Sequence, residues 1–225
     1  MDPSDAMKRS IDSLQRLYAV IGALAIGEAL RSTVFKDNSN HLQWSDLNVP
    51  LCIATLVTVI PFIHGMNRHL DEHIDDLEQT KSRGRIRAML ILDFLVFVIE
   101  CCALFILGLA VGAKRPAFSN VLLVLLIIDM GWAVLRTFGE LEEVAWTRID
   151  EQTKTHIRKQ LLWAGINVVA IVALVIVQQI PSSDQVNAWL IAVIAIGRSG
   201  ADYWYGKEMY FPGPLKNSLK EVRAD

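Results

Sequence analysis

Six blocks of apolar residues divide this chain of 225 residues, and each is long enough to cross a bilayer as a helix. They cover residues 17–35, 49–66, 88–112, 121–138, 160–180 and 186–206. A hydrocarbon core of ~30 Å takes about 20 residues of α-helix, and these blocks hold 18 to 25. A soluble amphipathic helix would place polar residues at every turn, and the blocks do not. Hydrophobic residues make up 52% of the chain, and mean hydropathy is +0.34. The expectation is an all-α, polytopic integral membrane protein: one transmembrane domain over 1–225, six helices in three hairpins.

The basic residues between the blocks fall on one side. Alternate loops and the ends carry 17 Lys and Arg, the opposite loops 3 (Lys36, Lys114 and Arg115), and Arg31 and Arg198 lie inside spans. Positive charge stays cytoplasmic during insertion, so both termini are predicted there, with the plasma or inner membrane as location. The net charge of −2 and the lack of a basic patch interleaved with aromatics argue against a nucleic-acid partner. Cys52, Cys101 and Cys102 all fall inside spans and read as small packing residues. No secretory signal is expected: residues 1–15 contain Asp2, Asp5 and Asp12, with no small-residue cleavage site after them.

The outer loops, 36–48, 113–120 and 181–185, are short; the first, with Trp44, has room for one interfacial helical turn. The inner connections, 67–87 and 139–159, are longer, charged and read as helical continuations of the preceding spans. Pro212 and Pro214 around Gly213 stop the last helix, leaving a polar tail over 212–225. Trp44 and Trp189 are expected near the outer headgroup zone, and Trp163, Tyr203, Trp204, Tyr205 and Tyr210 near the inner one. At the inner end of each inward helix an Arg precedes a carboxylate by four: Arg68 with Glu72, Arg136 with Glu140, Arg198 with Asp202. Ordinary helix-end ion pairing accounts for this repeat better than common ancestry of the hairpins. Arg198 is the exception, twelve residues into its span and too deep for an end effect.

Ionisable groups inside spans carry the strongest functional signal. One at the bilayer centre costs about 2.5–3.5 kcal/mol on insertion scales, so such groups face a bundle interior or a wet cavity. The candidates are Glu28, Arg31, Asp93, Glu100, Asp129, Arg198 and Asp202, with His64 and Asn167 as neutral companions. At ~1.5 Å per residue, Glu28, Glu100, Asp129 and Arg198 all lie roughly 12–18 Å from a span end. Asp93 and Glu100 share a helix face, as do Asp129 and Arg136. Arg198 is therefore expected to pair with one or two of Glu28, Glu100 and Asp129, although Glu28 and Arg31 also suit each other at i, i+3. Such an interior suits a proton or cation path, and equally a clasp that fixes helix register.

His69 and His73, one turn apart with Glu72 between them, have the spacing of a two-imidazole metal grip. Only His41, His64 and His156 remain elsewhere, so a charged helix in solvent is the preferred reading and no cofactor is expected. There is no P-loop, no G-x-S-x-G elbow and no acidic pair for Mg²⁺. Pro61 interrupts the second span and frees a backbone carbonyl there. The function expected first is an ion, proton or small-solute channel or transporter subunit in lipid, assembled as a homo-oligomer. The second is a non-conducting module that docks a cytosolic protein or senses a ligand through 67–87 and 139–159, in signalling or defence. A histidine-dependent membrane metalloenzyme comes third.

Overall fold

A computed structural model describes residues 3–35, 48–79, 83–113, 115–143 and 151–211, with side chains at 8–35, 48–71, 91–113, 115–138, 157–207 and 210–211. The expectations for Trp44, His41 and the tail over 212–225 lie outside these residues, as do the side chains of Glu72, His73, Glu140 and His156. The described chain is helical: α1 (Pro3–Val34), α2 (Asn48–Gln79), α3 (Arg83–Ala110), α4 (Arg115–Glu143), α5 (Glu151–Gln179), α6 (Asp184–Tyr205) and a short α7 (Lys207–Tyr210).

Five of the six long helices, α1 to α5, are long and apolar enough to cross a membrane. The sixth expected span, α6, falls short because Asn187, Arg198 and Asp202 dilute its apolar content. Those residues face inward, on a buried stripe with Ala188, Ile191, Ala192, Ala195 and Ser199. The outward faces are oily: Val20, Leu135, Phe138, Val169 and Val193 are all more than half exposed. Polar residues inside and large apolar ones outside invert the soluble pattern. They are compatible with a lipid-facing surface.

Helices α1, α3, α4, α5, α6 and α2 pack in that order around a ring that closes back on α1, and α2 also touches α3. Neighbours in sequence run antiparallel. Gln15 on α1 bonds Asp71 and the Asn67 carbonyl of α2 at one end, and Asn48 bonds the Ser32 carbonyl at the other. Helix α3 shows how the sequence chooses a face. Apolar almost all round over its described side chains, it buries Asp93, Phe97, Glu100, Leu104 and Leu107, a three-four spacing that includes its two acids.

Close approach fixes the α1–α3 seam. A Cβ on Gly108 would stand 2.4 Å from the Ala25 carbonyl oxygen, so only glycine admits that backbone. Buried hydroxyls find local acceptors: Thr33, Thr55 and Thr137 donate to the carbonyls of Ala29, Leu51 and Ala133 in the preceding turns. Pro61 lacks the N–H that would bond the Val57 carbonyl, and Ser199 of α6 donates its hydroxyl to that oxygen instead. A break in one helix thus becomes a bond to another. Helix α6 starts on Ser183, whose hydroxyl accepts from the Val186 N–H.

Candidate functional site

Arg198 is the centre of the buried charges. Its Nη2 donates to Asp129 Oδ2 at 2.9 Å, its Nη1 to Asp202 Oδ2 at 3.3 Å, and its Nε to Asn167 Oδ1 at 3.1 Å. The guanidinium lies between two rings, 4.7 Å from the Phe62 centroid and 5.2 Å from that of Trp163. Asp129 also accepts from Trp163 Nε1 and Asn167 Nδ2. Asp202 accepts from the Tyr210 hydroxyl at 2.9 Å. Burial, with the Asp202 carboxylate beside it, holds the Tyr210 phenol above its usual range, so it stays a donor. Each carboxylate in this clasp is thus satisfied by several donors, as a charge away from water requires.

A second cluster sits on α2, α3 and α4. Asp93 is fully buried; Trp132 Nε1 donates to its Oδ1 at 2.9 Å, and His69 Nε2 lies 3.1 Å from its Oδ2. Arg136 Nη1 stands 3.9 Å from the same oxygen. The His69 ring meets Trp132 and Phe97 edge-on. This imidazole is directed to a carboxylate and two aromatic rings inside the bundle.

Glu100 lies between the two clusters. It is only 2% exposed, and its Oε1 has no hydrogen-bond partner. Asp129, Arg198 and Asp93 are near enough to act on it electrostatically. Unlike the other buried acids, it borders a space without a bonded donor. That space is a cavity of about 310 Å³ bounded by α2 to α6, with Phe62, Phe97, Trp132 and Trp163 among its walls and Glu100, Asp129, Asp202 and His69 at its polar edge. Lys159, Leu162 and Tyr205 also border it and are exposed, so its mouth lies by α5 and α6 at the basic end. Toward the opposite end the bundle is filled: Leu51, Leu104, Leu107, Phe118, Leu122, Leu125, Leu174 and Ile191 are all buried.

The remaining sequence candidates fall elsewhere. Glu28 does not reach Arg198. It pairs with Arg31 at 2.5 Å, where the Arg31 side chain is 58% exposed. The depth estimate for Glu28 holds only along the helix axis, since α1 turns this residue away from the ring interior. Arg68 contacts Asp71 at 3.3 Å, and the Glu72 side chain lies outside the described residues. The Arg136–Glu140 pair is likewise outside them in part, and Arg136 approaches Asp93. Among the described residues no group of three or more His, Cys, Asp and Glu could hold a metal ion.

Sequence reasoning missed that His69 belongs with Asp93, and that Trp132, Trp163 and Tyr210 are donors to buried acids. Trp163 and Tyr210 read as headgroup-zone aromatics, yet Tyr210 is 3% exposed. A signal was present for Trp163: it stands four residues before Asn167, one turn away on the same face. Compared with known proteins, the chain matches no family model, no curated protein and no solved structure.

Proposed function

We propose that this chain is an integral membrane carrier subunit for a small cation, crossing the bilayer six times as three hairpins. Both chain ends then lie at the cytoplasmic face, where the cavity has its mouth. The observation that carries the reading is a half-path. A charged cavity enters from the basic end, reaches the deep carboxylate of Glu100, and stops at tightly packed apolar side chains. A channel needs a continuous wet route, whereas a carrier exposes its site to one side at a time.

The clasp of Asp129, Arg198 and Asp202 supports the same division of labour. It fixes α4, α5 and α6 around the site, while Glu100 is left to meet the solute. The site lies within a single copy, so the reading requires no pore shared among subunits.

Reconstitution into liposomes tests it. Wild type is expected to take up a cation down an imposed gradient, and Glu100→Gln to abolish uptake while eluting and melting as a folded protein. Unchanged uptake by Glu100→Gln would refute the role of this carboxylate. A wild type silent under every gradient would leave the non-conducting docking module, acting through 67–87 and 139–159, as the better account.

A further inference from the structure

We infer that the cavity takes an organic ammonium or amidinium cation with a flat apolar body, its charge directed at Glu100. The inference names the substrate class of the carrier proposed above and rests on that reading for its transport, while the binding step stands on the cavity.

Three observations carry it. The first is the accounting of acids: Asp129 and Asp202 are engaged by Arg198, Trp163, Asn167 and Tyr210, and Asp93 by Trp132 and His69. Glu100 is the one buried acid among the described residues that accepts no hydrogen bond, at 2% exposure and beside the cavity. A buried carboxylate that receives no donor within the bundle calls for one from outside the chain.

The second is the character of the wall. Hard inorganic cations take six or more oxygen ligands; Asp129 and Asp202 at the cavity edge are already engaged by donors of the bundle, and much of the remaining wall is Phe62, Phe97, Trp132 and Met66. Aromatic faces attract diffuse organic cations, which shed water more cheaply. The protein demonstrates this on its own side chain, since the Arg198 guanidinium sits between Phe62 and Trp163 with carboxylates at its edge. The third is size. About 310 Å³ lies at the small end of ligand pockets, which suits a single-ring amine and excludes a nucleotide.

The test uses the full chain purified in detergent, with binding of benzyldimethylammonium, whose N–H can reach the carboxylate, followed by calorimetry. Potassium ion and uncharged benzyl alcohol serve as the comparison probes. The expected result is saturable binding of the ammonium, at least tenfold weaker in Glu100→Gln, with neither comparison probe competing. Equal affinity for benzyl alcohol, unchanged affinity in Glu100→Gln, or no binding by wild type overturns the inference.

Labelling of wild type needs no variant to fold. A hydrophobic carbodiimide is expected to modify Glu100, read by mass spectrometry, and benzyldimethylammonium to protect it where benzyl alcohol does not. Modification unaffected by the ammonium counts against the inference. Binding without flux in liposomes refutes the carrier and leaves this site standing. Flux of an inorganic ion indifferent to benzyldimethylammonium refutes the substrate class and leaves the carrier.

Discussion

Replacing Arg198 with methionine removes the one cation shared by Asp129 and Asp202. Three donated bonds go at once, at 2.9, 3.3 and 3.1 Å, together with contacts to two aromatic faces. Removing one member of a buried ion pair costs about 3–5 kcal/mol, most of it from the stranded partner. Here two carboxylates are stranded, both at most 4% exposed. Asn167 and Trp163 still donate to Asp129, and Tyr210 to Asp202, so the loss is expected inside that range and not at its double. If stranded charge is the cause, adding Asp129→Asn and Asp202→Asn to Arg198→Met should recover at least half of the loss. Reversible unfolding in mixed SDS micelles, followed by far-ultraviolet circular dichroism, measures both. A single variant within about 0.5 kcal/mol of wild type, or a triple variant no better than the single, would show that the clasp does not bear on stability.

Other perturbations separate the tight places in the bundle from the loose ones. Gly108→Ala should destabilise by about 1–3 kcal/mol despite alanine's better helix propensity, because the new methyl meets the Ala25 backbone. Gly27→Ala, with nothing within 4 Å of its added carbon, should be neutral or stabilising by ~0.5–1 kcal/mol in the same unfolding assay. Arg31→Gln should lower the melting temperature, since Glu28 is only 17% exposed and loses its ion-pair partner within a span; Glu28→Gln added to it should recover most of the loss, and an unchanged melting temperature in the single variant would mean that the pair stands in water. On the proposed topology, Ser182→Cys in intact cells should react with a membrane-impermeant maleimide from outside, and labelling only after lysis would reverse the orientation.

The sequence made the helices legible because oily blocks of span length have few alternatives, and the acids on α3 marked its inward face where apolar periodicity could not. The i, i+4 spacing pointed to Asp202 as a partner of Arg198, and common depth narrowed the other to Glu28, Glu100 or Asp129, of which only Asp129 bonds it. Glu28 defeated the same argument because depth alone does not fix which way a side chain turns. Nor could the chain announce that His69 on α2, Asp93 on α3 and Trp132 on α4 converge. That depends on the ring placing α3 between α1 and α4, next to α2 as well. The polar face of α6 lowered its apolar content for the same reason that the helix matters: it carries Arg198 and Asp202 inward.

The phenol of Tyr210 gives the bundle a mechanical linkage from its surface to its midpoint. Phe211, just beyond, rests edge-on against His64 and stacks on Tyr203. Levering that aromatic pair away also withdraws the hydroxyl from Asp202. Asp202 is then left with Arg198 as its one described donor. The last turn before the tail is tied to Asp129 on α4 by one unbroken run of hydrogen bonds, through Tyr210, Asp202 and Arg198.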